Sequence, residues 1–258
     1  MTKPRSLVDT IFAGTVVITI VAQLLAGFIA PAAAVGSCTG SGSNYFAGYL
    51  CYSRAPVGWK ETPEGASGYI VTRPGHVCTN LNYPFQFSTA WVMIADQVFE
   101  RYAQSGYMYI NTSGCNRYFT EYNRDDGTGF HRALSGGCAI DNQRHPYYAQ
   151  CIGPAGPYPP CCGSMRLDAY GLITFPQFDP WHDGWSFTPE YFGEVTHLAN
   201  DVPGSVSAPA NMSAMGIQAV SSGSFVTVPC YLAHSVTGSR YYATASSCHD
   251  IAIYRNPL

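Results

Sequence analysis

Glutamate is scarce in this 258-residue chain, occurring only at Glu61, Glu64, Glu100, Glu121, Glu190 and Glu194. Two of these fall where a carboxylate is hard to explain by solvation alone. Glu121 lies in Arg117-Tyr-Phe-Thr-Glu-Tyr122 and Glu194 in Tyr191-Phe-Gly-Glu-Val-Thr-His-Leu198, aromatic and β-branched stretches that read as strands. Side chains alternate across a strand, so Glu121 shares a face with Phe119, and Glu194 with Phe192, Thr196 and Leu198. A carboxyl among such neighbours is expected to hold its proton above the ordinary carboxylate range, which suits general acid or base work. The plainer alternative is a Glu facing outward on a wetted sheet face.

Other chemistries are poorly supplied. Seven histidines occur, at His76, His131, His145, His182, His197, His234 and His249, without a His-Glu-x-x-His pattern, and no two cysteines have Cys-x-x-Cys spacing. No metal or other cofactor is expected on that pattern. A serine nucleophile lacks the Gly-x-Ser-x-Gly elbow, and a cysteine nucleophile conflicts with the oxidised thiols argued below. Asp125-Asp-Gly127 reads as a hairpin turn rather than a calcium loop, and His182-Asp183 as part of a Trp-anchored loop.

The elements that must position these carboxylates are strands. With 19 Tyr, 13 Phe, 26 Gly and 18 Pro and almost no helical periodicity, the composition suits pleated sheets punctuated by turns. Strands are expected at Gly68–Thr72, Ala90–Ala95, Ala103–Ile110, Arg117–Asn123, Gly129–Leu134, Tyr147–Ile152, Met165–Phe175, Tyr191–Leu198, Met215–Val220, Phe225–Val228, Arg240–Ala245 and Ile251–Tyr254. Gly-rich turn signals separate several of them. Many short strands so joined predict an all-β fold, an antiparallel two-sheet β-sandwich of jelly-roll type. Gln97–Gln104 is the single helical candidate. Residues 35–88 read as a disulfide-pinned lead-in packed on a sandwich domain of residues 89–258.

Ahead of it, Met1–Asp9 carries Lys3 and Arg5, Thr10–Ile29 is an apolar run free of charge, and Ala30-Pro-Ala-Ala-Ala34 follows. Residues 1–34 thus read as a secretory signal cleaved after Ala34, with an uncleaved membrane anchor as the alternative. The remainder keeps 11 basic and 15 acidic residues, a net charge of about −4, and Lys60 as its only lysine. Without a basic face to displace phosphate counterions, nucleic acid is excluded as a partner. Cys38, Cys51, Cys78, Cys115, Cys138, Cys151, Cys161, Cys162, Cys230 and Cys248 all lie behind the signal, an even count that predicts up to five disulfides and a secreted or cell-surface location. Local pairings such as Cys38 with Cys51 and Cys230 with Cys248 are compatible with the spacing, which does not choose among connectivities. Asn111-Thr-Ser and Asn211-Met-Ser fit the glycan acceptor pattern.

Four short stretches, Trp91-Val-Met-Ile-Ala95, Tyr102-Ala-Gln-Ser-Gly-Tyr107, Tyr118-Phe-Thr-Glu-Tyr122 and Gly193-Glu-Val-Thr-His197, resemble in order and approximate spacing the eqolisin family of glutamic peptidases. The resemblance covers roughly residues 90–220; its later part is also similar to a group of uncharacterised secreted actinobacterial sandwich proteins. It implies a concanavalin-like sandwich with a catalytic dyad on the concave sheet, Gln104 matching the family's Gln and Glu194 its Glu. In the implied mechanism Glu194 takes a proton from the attacking water and passes it to the leaving amine at acidic pH, while Gln104 orients the water and donates to the oxyanion. Glu121, Trp91, Tyr107 and Phe192 are the candidate binding residues around that dyad. Eqolisins normally follow the catalytic Glu with Trp and place another acid a few residues on; here Val195, His197 and Leu198 stand in those places. Two non-enzymatic alternatives fit the same composition. One is a carbohydrate-binding or cell-surface module with an aromatic groove, the other a self-associating subunit of an extracellular assembly. The expected partner is accordingly a polypeptide or polysaccharide.

Overall fold

Ala90-Trp-Val-Met-Ile-Ala95 is apolar on both alternating faces, and in the structure both faces are covered: all six residues are buried. The computed structural model describes residues 44–53, 65–78, 86–96, 101–124, 129–152, 164–176, 187–197, 200–218, 224–226, 230–236, 241–247 and 250–255. Within them the strands in chain order are β1 (Tyr45–Ser53), β2 (Gly65–Val71), β3 (Phe87–Asp96), β4 (Tyr102–Ile110), β5 (Asn116–Arg124), β6 (Gly129–Leu134), β7 (Arg144–Ile152) and β8 (Ser164–Ala169). There follow β9 (Leu172–Thr174), β10 (Phe187–Val195), β11 (Gly204–Ser205), β12 (Ala208–Gln218), β13 (Phe225–Val226), β14 (Cys230–Val236), β15 (Tyr241–Ser247) and β16 (Asp250–Arg255). The described residues are all-β and form two sheets. One has seven strands in the order β14-β1-β10-β3-β4-β5-β6; the other has nine, with β15-β16-β11-β12-β2-β7-β8-β9 as its path and β13 paired to β12. Pairing is antiparallel except for a single parallel bridge, Ser205 to Arg255.

The sheets pack face to face through small and aromatic residues. Ala90, Val92, Tyr107, Tyr191 and Val195 of the seven-stranded sheet meet Ile70, Tyr147, Met212, Met215 and Ile253 of the other. Burying a tyrosine is favourable only if its hydroxyl finds a partner. Tyr107 accepts a hydrogen bond from the Arg73 backbone N–H at 3.0 Å, and Tyr191 donates to the Gly216 carbonyl at 3.0 Å. Ser105 likewise donates to the Tyr148 carbonyl at 3.0 Å. These bonds cross between the sheets and fix their relative register.

Several expectations change. β1 and β2 fall inside the segment read as a lead-in, yet β1 lies between β14 and β10, and β2 between β12 and β7. Part of β2 coincides with the strand expected at Gly68–Thr72, while β1 is masked by the Gly- and Ser-rich run that precedes it. In the helical candidate Gln97–Gln104, residues 102–104 are extended in β4 and residues 97–100 lie outside the described residues. The long strand expected over Met165–Phe175 is a hairpin, β8–β9, reversed at Tyr170 (φ 48°) and Gly171 (φ 90°). The strand expected from Met215 begins at Ala208 and carries an irregularity between Ser213 and Gly216, where Ala214 has φ 49°. Of the ten cysteines, Cys115 and Cys138 form a disulfide with Cα atoms 5.7 Å apart, tying together the two ends of the β5–β6 hairpin. Cys38, Cys161, Cys162 and Cys248 lie outside the described residues, as do residues 1–34, Asp125–Gly127 and His182-Asp183.

The outer face of the seven-stranded sheet depends on two glycines. Gly48, Phe192, Trp91, Gly106 and Phe119 stand opposite one another in successive strands. A Cβ on Gly106 would lie 2.2 Å from the Ala90 carbonyl oxygen and 2.9 Å from the Phe119 ring, and one on Gly48 would lie 2.6 Å from the Phe192 ring. The absent side chains make room for the aromatic floor of the site. Gly106→Ala is expected to cost about 1–3 kcal/mol by overpacking, read as a lower urea midpoint. Gly136→Ala, where a Cβ meets nothing within 4 Å, should leave the midpoint unchanged.

Candidate functional site

Strand alternation turns Tyr102, Gln104, Gly106 and Met108 to the outer face of β4, and Ala103, Ser105 and Tyr107 to the inter-sheet core. The same rule puts Glu190, Phe192 and Glu194 on the outer face of β10. Register then completes the site. Leu50, Glu190, Met93, Gln104, Glu121 and Arg132 form one row across β1, β10, β3, β4, β5 and β6.

This face encloses a cavity of about 570 Å³ lined by Trp91, Gln104, Glu121, Glu190, Phe192 and Glu194 among others. The sequence-predicted Glu194, Gln104, Glu121, Trp91 and Phe192 are therefore brought together. Tyr107 is not: it is fully buried between the sheets, with its hydroxyl hydrogen-bonded to backbone there. Tyr107 stands three positions after Gln104, an odd offset that sends the two to opposite faces. Sequence reasoning missed Glu190, Arg132, Tyr102 and Met93. Glu190 was findable, standing four residues before Glu194 and so on its face once the strand is extended back through Pro189.

Glu121 is the best-bonded side chain of the group. Its carboxylate accepts from the Tyr102 hydroxyl at 2.8 Å, from Gln104 Nε2 at 2.6 Å and from Arg132 Nε. Arg132 is itself held between rings, its guanidinium carbon 5.3 Å from the centre of Phe87 and 4.8 Å from that of Phe130. Burial and the adjoining Glu121 charge push the Tyr102 hydroxyl pKa upward, so it stays a donor. With Nε2 committed to Glu121, the amide of Gln104 is fixed in orientation, and its buried Oε1 has no hydrogen-bond partner among the described residues.

Glu194 is differently placed. Trp91 Nε1 donates to its Oε2 at 3.1 Å, and Trp91 is stacked on Phe192 with ring centres 5.3 Å apart. Burial pushes its carboxyl up to about 8, with the Glu121 charge adding to the shift and the Trp91 hydrogen bond and Arg132 opposing it. Glu190, between Leu50 and Met93, is raised to about 8 by burial alone. The site thus holds one carboxylate paired with a cation and two carboxyls that favour the protonated form. Such separation of neighbouring acids is the pattern that divides acid and base roles. Among the described residues no group of three or more His, Cys, Asp or Glu gathers in a way that could hold a metal ion.

No family model matches the chain, and no curated protein matches it.

The raised carboxyls bear on stability. A carboxyl whose folded-state pKa exceeds its unfolded value makes the folded state bind more protons, so stability is greatest below the ordinary value of 4.5 and declines as pH rises to about 8. Glu190→Gln and Glu194→Gln cannot ionise. Each variant should lose less stability than the wild type between pH 5 and pH 9, measured as the change in urea midpoint.

Proposed function

We propose that this protein is an exported hydrolase of glutamic type, cleaving peptide bonds with Glu194 and Gln104 on a concanavalin-like jelly roll. The observation that carries the reading is the pairing of two complementary groups on one cavity: a protonated carboxyl at Glu194 and, on Gln104, a locked amide with an unused acceptor oxygen. That β10 and β4 flank β3 and that Gln104 and Glu194 both line one cavity support it.

The raised pKa of Glu194 alters the starting state expected from sequence. At acidic and neutral pH the carboxyl begins protonated, so it acts first as a bifunctional acid. Water donates one O–H to the unprotonated oxygen of Glu194. As the water oxygen attacks the peptide carbonyl, Glu194 receives the water proton on one oxygen and passes its own from the other to the carbonyl oxygen. A neutral diol forms and Glu194 stays neutral. Collapse reverses the relay: Glu194 gives a proton to the leaving nitrogen and takes one from a diol hydroxyl, breaking the C–N bond. The second N–H of Gln104 remains available to the developing oxyanion, while Glu121 and Arg132 keep the amide from turning.

Glu194→Gln should lower kcat on a denatured protein substrate by about 10²–10⁴-fold, and Gln104→Ala by about 10²–10³-fold, with folding verified by circular dichroism. Wild-type activity should fall as pH rises through about 8, where Glu194 ionises. Full activity in Glu194→Gln, or activity that climbs through that pH, would refute the mechanism. The binding-module alternative is favoured instead if neither variant changes proteolysis and a polysaccharide is retained by both.

A further inference from the structure

The cavity contains an acid with a cation and an acid without one. Glu121 is met by Arg132 at one end of the cross-strand row. Toward the other end Glu190 stands between Leu50 and Met93, and all three side chains line the cavity. Glu190 is only 2 % exposed. Among the described residues its carboxyl has neither a hydrogen bond nor an ion pair, and desolvation is the sole influence on its titration. A carboxyl kept from water without a partner is costly when charged, and a cation delivered into the same cavity removes that cost.

We infer that Glu190 selects a ligand with a basic side chain, receiving the ammonium or guanidinium head while Leu50 and Met93 contact its aliphatic stem. Glu190 and Gln104 are two strands apart, about 10 Å, and Glu190 and Glu194 are four residues apart on one strand, about 13 Å, so the cation subsite lies beside the proposed dyad rather than on it. Arg132 does not compete for Glu190, being held by Glu121 and by the rings of Phe87 and Phe130. The ligand as a peptide rests on the proposed hydrolysis; the cation preference does not.

The test therefore has a binding arm and a cleavage arm. Calorimetric titration of the purified protein at pH 7.5 compares n-hexylammonium with 1-hexanol, which share a stem and differ in the head. Wild type should bind the ammonium roughly tenfold or more tightly. Glu190→Gln should erase that preference and leave hexanol affinity unchanged, whereas Glu194→Gln should retain it. Leu50→Lys, which sets a cation of the chain itself opposite Glu190, should also erase it, and this second variant decides the matter if Glu190→Gln does not fold. Equal binding of the two ligands by wild type, persistence of the preference in Glu190→Gln, or its loss in Glu194→Gln overturns the inference. In the cleavage arm, peptides differing by lysine or norleucine at one position are compared for kcat/KM. Cleavage of both at one rate rejects the role of Glu190 and leaves the peptidase reading standing. Absence of all cleavage alongside a clear ammonium preference rejects the peptidase reading and leaves the cation site standing.

Discussion

The bonding of Glu121 organises the outer face of the seven-stranded sheet. One carboxylate takes donors from β4 twice, through Tyr102 and Gln104, and from β6 once, through Arg132. A buried carboxylate needs its lone pairs met, and a buried guanidinium needs an acid. Satisfying both consumes the cation and one N–H of the neighbouring amide. What remains is a Gln104 amide that cannot rotate freely and a cavity whose other two acids, Glu190 and Glu194, pair with no guanidinium among the described residues. Had Arg132 reached Glu194 instead, that carboxyl would be held ionised rather than protonated.

Unbroken pairing from β1 to β6 keeps that row of six residues in register. The inner face is anchored by tyrosines whose hydroxyls end on backbone of the opposing sheet. The outer face is floored by Trp91 stacked on Phe192, a geometry permitted by Gly48 and Gly106 on either side. Trp91 also donates to Glu194, so packing and site chemistry meet in one side chain. The Cys115–Cys138 disulfide closes the hairpin that carries Glu121 and Arg132, limiting the freedom of that pair in the unfolded chain as well as the folded one.

Much of the fold was legible because strand signals are local. Aromatic and β-branched stretches marked β3, β4, β5, β6 and β10 within a few residues. β1 was not recognised: Tyr45–Ser53 is rich in aromatic residues, but the Gly- and Ser-rich run just before it resembles linker until a neighbouring strand is known. The β8–β9 reversal at Tyr170 was hidden for a related reason, since a non-glycine residue at positive φ carries little signal in its identity. For the site, alternation alone grouped Phe192 with Glu194 and Phe119 with Glu121. The same alternation, applied to Gln104 and Tyr107, separates those two, and the structure places Tyr107 in the core.

By itself the chain's sequence settled which side chains share a face of each strand, because that periodicity is a property of the extended backbone and needs no partner. Only the tertiary structure decided that β10 and β4 flank β3, that Arg132 comes to Glu121 rather than to Glu190 or Glu194, and that the latter two carboxyls keep their protons. Strand order and register join residues as far apart as Ala47 and Val236, and burial is a property of all the neighbours at once. Neither quantity is carried by any local stretch, so the acid with a cation and the acids without one become distinguishable only when the sheet is assembled.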